Sequence, residues 1–242
     1  MAEAPMRLTW IGHGTFLLET PGGRRLLLDA WVEHNPAAPQ AAKARVAERL
    51  DAILITHAHG DHIQDALSLA RATGARVVAI FETAAWLRAK GLPDAQVVDG
   101  NHGGTVDLGG VRATMVPAVH SCGILDGETM VYGGEAAGYV LTLEDGRRLY
   151  HAGDTMVFGD MRLIGELWRP EIAVLPIGGH YTMDPEQAAY AAGLLGVRTV
   201  VPGHFGTFPL LAGTPEALRH ALAARGLGVA VHALRPGETA SL

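Results

Sequence analysis

His57-Ala58-His59-Gly60-Asp61-His62 places four side chains able to bind a metal within six residues. In extended backbone, residues two apart point the same way, so His57 and His59 can approach one ion together. Gly60 permits a sharp turn, after which Asp61 and His62 project toward a second position. Imidazole and carboxylate are donors that suit zinc, manganese or iron. The plainer reading, a histidine-rich exposed loop, accounts less well for this density of donors.

Further candidates each follow an apolar run. His120 ends Ala113-Thr114-Met115-Val116-Pro117-Ala118-Val119, Asp154 ends Arg148-Leu149-Tyr150-His151-Ala152-Gly153, and His204 follows Val200-Val201-Pro202-Gly203. A rigid sheet commonly presents functional groups at the ends of its strands. Singly, each reads as a satisfied polar residue; with the hexapeptide, they complete two metal sites. His13, in a glycine-rich turn, and Asp29, at the end of a hairpin, are read as supports behind the ligands. Cys122 is the only cysteine, which excludes an internal disulfide, and it is read as a small buried residue and not as a nucleophile. His151 is expected to pack beside the site or to bond backbone. His34, His102, His220 and His232 read as ordinary surface or turn residues.

The elements that must position these groups follow from patterning. Strands are expected at Arg7–Ile11, Thr15–Thr20 and Arg24–Leu28, with the last two joined through Pro21-Gly22-Gly23. A helix over Ala41–Leu50 precedes the wholly apolar strand Ala52–Thr56. Another helix runs from about Ile63 to Ala72 and stops at Gly74; strand Arg76–Ile80 and helix Thr83–Lys90 come next. Strand-like pieces fill much of Val97–Pro117 and Gly138–Tyr150. Asp184-Pro185-Glu186-Gln187 and Thr214-Pro215-Glu216 are helix starts, each with a capping side chain and a proline at the first helical position. The segment Leu18–Asp29 echoes Leu143–Asp154, and each is followed by an apolar strand. Two such halves predict two sheets packed face to face with helices outside.

Charge narrows the partners. Lysine and arginine number 19 against 25 acids, a net charge of −6, and no basic run exceeds two residues, which argues against nucleic acid. Apolar runs fall short of the ~18 residues that span a bilayer. The start, Met1-Ala2-Glu3-Ala4-Pro5-Met6-Arg7, lacks the layout of a signal peptide. With one cysteine, this predicts a cytoplasmic protein, and the absence of any linker predicts one domain over residues 1–242.

The order His57-x-His59-x-Asp61-His62, His120, Asp154, His204 resembles the metallo-β-lactamase superfamily. Ile11-Gly12-His13-Gly14-Thr15, Pro117-Ala118-Val119-His120-Ser121, Ile124-Leu125-Asp126-Gly127, Tyr150-His151-Ala152-Gly153-Asp154-Thr155 and Leu175-Pro176-Ile177-Gly178-Gly179 extend the resemblance to bacterial metal-dependent hydrolases related to the ascorbate-phosphate lactonase branch. The resemblance implies an α/β fold, a four-layer αββα sandwich of two mixed sheets. It implies that His57, His59 and His120 hold one metal, that Asp61, His62 and His204 hold another, and that Asp154 bridges them. Zinc is the first choice, with manganese or iron next. Two ions sharing a hydroxide would cleave a small ester, lactone or phosphodiester, with Asp61 orienting the water and accepting its proton. One departure is His180, where relatives tend to carry asparagine; it is either a substrate-facing donor or a surface residue. A homo-oligomer is common in this branch. Two other classes compete: a non-catalytic metal-binding module, against which the cysteine-free, Asp-bridged ligand set speaks, and a metal-dependent oxidoreductase, which resembles chains with glutamate where this one has His59.

Overall fold

The apolar runs form strands covered on both faces. In the computed structural model, which describes residues 5–242, β1 (Arg7–Gly12), β2 (Thr15–Glu19) and β3 (Arg25–Leu28) are antiparallel neighbours. Next come α1 (Gln40–Glu48), β4 (Ala52–Leu54), α2 (Gly60–Ile63), α3 (Ala66–Thr73), β5 (Arg76–Ile80), α4 (Phe81–Ala89) and β6 (Val97–Gly100), with β3 to β6 parallel. The second sheet begins with β7 (Thr105–Asp107) and β8 (Arg112–Pro117). The hairpin of β9 (Gly123–Asp126) and β10 (Thr129–Tyr132) stands outside both large sheets. β11 (Ala137–Thr142) then pairs antiparallel with both β8 and β12 (Arg148–His151). The chain continues through α5 (Met161–Trp168), β13 (Ile172–Pro176), α6 (Pro185–Leu195), β14 (Thr199–Gly203), α7 (Pro215–Ala224) and β15 (Ala230–Val231), with β12 to β15 parallel. β16 (Thr239–Ser241) returns to the first sheet beside β1. Met1–Ala4, part of the signal-peptide reading, lie outside the described residues.

Period-two alternation sorts the side chains into layers. Phe16, Leu18, Leu26 and Leu28 face Tyr139, Leu141 and Leu149 between the sheets. Leu17 and Leu27 point the other way, onto Val46, Ala70 and Leu87 of α1, α3 and α4. On the far side, Val140, Tyr150 and Ala173 pack against Ile164, Ala188 and Leu218 of α5 to α7. The result is the αββα sandwich of two mixed sheets. Double coverage explains why Leu26-Leu27-Leu28 reads as a continuous apolar run and not as an alternating one.

The internal echo marks topologically equivalent positions. Leu26–Leu28 register in parallel with Ala52–Leu54, and Leu149–His151 register in parallel with Ile172–Val174. Both marked helix starts form their caps: the Asp184 carboxylate accepts from the Gln187 amide at 2.8 Å, and the Thr214 hydroxyl accepts from that of Ala217 at 3.1 Å.

The single helix expected from Ile63 is instead two. The chain breaks at Gln64-Asp65, because the Asp65 carboxylate accepts from the amides of Val32 and Glu33 at 2.6 and 2.8 Å. Hydrogen bonds of this charged acceptor offset the lost helical turn and tie the loop after β3 to the start of α3.

Candidate metal centre

Every candidate lies just past the C-terminal end of a strand: His13 after β1, Asp29 after β3, the hexapeptide after β4, His120 after β8, Asp154 after β12 and His204 after β14. Because the sheets pack face to face, these loops converge on one edge. The His204 amide donates to the His13 carbonyl at 2.9 Å, joining a loop of the first sheet to one of the second.

Two groups of donors form. In the first, His57 Nε2 and His59 Nδ1 lie 3.0 Å apart, and the His120 ring lies 4.9 and 5.0 Å from the rings of His57 and His59. The second gathers Asp61, His62 and His204, together with His13. Asp154 sits between the groups. Its Oδ2 is 3.9 Å from His57 Nε2, 3.7 Å from His120 Nε2 and 3.1 Å from His204 Nε2, while its Oδ1 is 3.4 Å from His62 Nε2.

A buried network turns these rings inward. The Thr56 hydroxyl donates to Asp29 at 2.8 Å, which leaves its oxygen to accept from His57 Nδ1–H at 3.0 Å. His62 Nδ1–H donates to Asp29 at 2.7 Å. Asp29 therefore directs the Nε2 atoms of both histidines toward Asp154, an outer carboxylate of the kind that fixes a ligand's tautomer. Ser121 Oγ lies 3.2 Å from His59 Nε2 and so leaves Nδ1 facing His57. His13 Nε2 lies 2.9 Å from Asp61 Oδ2, with Nδ1 held by Thr207 Oγ1 at 3.0 Å.

The electrostatics match a cation site. Burial lowers His57, His59 and His120 and takes His13 down to about 4, so these rings are neutral at pH 7. Although burial opposes ionisation, His204 and His62 hold Asp154 well below the usual carboxylate range, His62 and His151 do so for Asp29, and His13 and His62 for Asp61. His62 moves the other way: Asp154 and Asp29 outweigh its burial and raise it. A divalent ion requires neutral imidazoles and ionised carboxylates, so at His62 it would take the place of the proton that Asp154 and Asp29 draw onto the ring. His62 Nε2 and both nitrogens of His204 are buried without a hydrogen-bond partner. An unpaired buried polar atom costs about 1–3 kcal/mol, and a bound cation would relieve it. The residues present fit a metal.

Backbone geometry is also special here. Among the described residues, five non-glycine residues have positive φ, and His13, Asp29, His204 and His180 are four of them, between 53° and 59°. Such strain clusters at functional sites because surrounding contacts must hold it. Gly14 is needed for a close approach, since a Cβ there would lie 2.6 Å from His62 Cε1.

A cavity of about 360 Å³ opens onto the centre, with Ser121, Tyr181, Phe208 and Leu211 completing its wall. His180 is exposed and does not line it; its ring stands edge-on to Tyr181 at 4.4 Å. Cys122 is buried and its thiol is pushed up by burial, as expected of a packing residue. His151 lies buried beside Asp29, 3.6 Å from Oδ2, whereas the exposed His34 pairs with Asp65. Thr56, Ser121, Thr207 and Tyr181 are the participants that sequence reasoning missed. Thr56 and Ser121 each adjoin a candidate histidine, which is the one signal that could have found them.

Comparison with known proteins bears on this edge of the sandwich. A family profile described as a beta-lactamase superfamily domain matches residues 24–205. The chain is 52% identical over 234 residues to a UPF0173 metal-dependent hydrolase of Koribacter versatilis, covering 97% of each chain. The chain belongs to the UPF0173 metal-dependent hydrolases of the β-lactamase superfamily. A homologue from Chloroflexus aurantiacus is also 52% identical over 234 residues, covering 97% of this chain and 96% of that one. Among solved structures, Igni18, a metallo hydrolase from the archaeon Ignicoccus hospitalis, superposes with a TM-score of 0.85 at 36% identity over 98% of each chain. This metal-dependent hydrolase therefore shares its fold along its whole length with a solved metallo hydrolase.

Proposed function

We propose that this hydrolase cleaves a small ester, lactone or phosphodiester at a dinuclear metal centre. One observation carries the reading: the Asp154 carboxylate is approached within 3.9 Å by Nε2 atoms of four histidines drawn from both donor groups. His57, His59 and His120 would hold one ion, Asp61, His62 and His204 the other, and Asp154 would bridge them. Divalent ions held by these residues would supply a water of lowered pKa and polarise the substrate oxygen. Zinc suits this nitrogen-rich set, with manganese or iron next.

The chain's own groups supply the rest. Asp61, partly exposed to the cavity and anchored through Oδ2 to His13, orients the water and accepts its proton. Although burial opposes it, His13 and His62 hold Asp61 well below the usual carboxylate range, so it is ionised and able to take that proton. His13, neutral at working pH, donates to Asp61 and fixes which oxygen faces the water. His180 would serve as a donor to the leaving group once its ring turned from Tyr181 toward the cavity. Residues 1–242 act as one domain, since the centre draws on both sheets. A single buried cysteine suits the cytoplasm.

Elemental mass spectrometry tests the reading, paired with hydrolysis of a lactone, bis(p-nitrophenyl) phosphate and a thioester. About two equivalents of metal per chain are expected, with turnover of one substrate that a chelator removes. Substoichiometric metal that added zinc, manganese or iron cannot raise, with no turnover, overturns it.

A further inference from the structure

Seven loops carry the candidate residues or line the cavity: residues 13–14, 29–39, 55–59, 118–122, 152–160, 177–184 and 204–214. None contains a lysine or an arginine, although the chain has 19; Arg235, on the loop from β15 to β16 at the same edge, does not line the cavity. Arg148, Arg162, Arg169 and Arg198 instead gather in a groove at the starts of β12 and β14, the opposite end of the second sheet. The same loops expose large apolar side chains: Val119, Met156, Tyr181, Phe208 and Leu210. Phe208 packs its ring 5.7 Å from His13 and 6.2 Å from Trp31, yet remains 42% exposed, and it lines the cavity with Tyr181 and Leu211.

We propose that the substrate is an uncharged ester or lactone whose aryl or alkyl group packs on Tyr181 and Phe208 while its carbonyl faces the His/Asp cluster. This rests on the hydrolytic reading above. Water adds across the acyl–oxygen bond, giving the carboxylic acid and the alcohol. A phosphate or carboxylate elsewhere on the substrate would lose hydration on entering this mouth and would find no guanidinium or ammonium on the lining to receive it. An apolar group loses nothing by entering and gains burial on the aromatic wall.

Two matched pairs test this on the metal-loaded protein. Hydrolysis compares phenyl pentanoate with the carboxylate-ended monophenyl glutarate. Calorimetric binding compares the amides N-phenylpentanamide and N-phenylglutaramic acid. The uncharged member should be favoured at least about tenfold in both kcat/KM and affinity. Phe208→Ala should remove about tenfold, mainly in KM, the scale of a lost pocket contact, and Phe208→Arg should narrow or invert the preference. Equal or better use of the charged ester with normal turnover overturns the substrate class and leaves the hydrolase reading standing. The expected amide selectivity without turnover of either ester overturns the hydrolase reading alone. Failure of both amides to bind overturns the inference.

Discussion

The two halves of the sandwich use one plan to different ends. Each pairs an antiparallel hairpin with a parallel strand and sets an aspartate just beyond the hairpin, Asp29 after β3 and Asp154 after β12. The two aspartates hold opposite sides of one imidazole. Asp29 takes His62 Nδ1 at 2.7 Å from behind, and Asp154 faces Nε2 at 3.4 Å from the cavity side. Asp29 has no exposed surface, whereas Asp154 lines the cavity. The halves also differ in supply: the first offers four donors in one hexapeptide, while the second offers His120, Asp154 and His204 from three separate strand ends. Similar hairpins thus yield a support in one half and a central carboxylate in the other.

The largest expected effect comes from removing the carboxylate on the cavity side. Asp154→Ala should lose bound metal and hydrolysis together while the far-ultraviolet circular dichroism is unchanged, because it deletes the one carboxylate common to both donor groups. Asp61→Ala should also abolish turnover with the fold intact; an unchanged rate at full metal content would remove Asp61 from its assigned role. The support behind should matter less. Asp29→Asn keeps the shape but weakens its hold on His57 and His62, and a loss of roughly 10–100-fold in metal affinity is expected, measured by competition with a chromogenic chelator. If Asp29→Asn equals Asp154→Ala, the division between support and ligand fails.

The smallest effect lies outside the centre. Against partial burial, the Arg25 amide, Arg49 and Arg24 hold Asp51 below its ordinary 3.8. Its folded pKa is depressed, so its stabilisation is fully present above the unfolded value and is lost as pH falls through the folded one. The wild type should exceed Asp51→Asn by about 1 kcal/mol at pH 7, with the gap closing below about pH 4, read from melting curves at pH 3 to 7.

The layers of the fold were legible because both faces of each sheet are covered, so buried strands print as unbroken apolar runs and the hairpin echo prints twice. The hexapeptide was legible because its members are contiguous, and His120, Asp154 and His204 because each directly follows such a run. Thr207, Tyr181 and Phe208 were not: serine, threonine and aromatic residues in loops are common, and Thr207 meets His13 across 194 residues of chain. The break between α2 and α3 was hidden for the same reason, since local periodicity carries no sign that Asp65 accepts from a loop more than thirty residues earlier. The β9–β10 hairpin belongs to neither layer, so no covering element shaped its pattern.

The positive φ at His13, Asp29 and His204 bears on how this edge can be dissected. At these points the chain has the local hand of a D-residue, and an L-alanine there inherits the same crowding, about 1–2 kcal/mol. An alanine scan would leave that backbone strain in place while deleting the contacts that restrain it, mixing loss of a donor with local relaxation. Glycine occupies this conformation freely, so His13→Gly is the cleaner deletion. In a chemically assembled chain, D-histidine at position 13 would find the required backbone already in its preferred basin. The mirror-image residue would then report, by its melting temperature, how much of the native stability is spent on holding that turn.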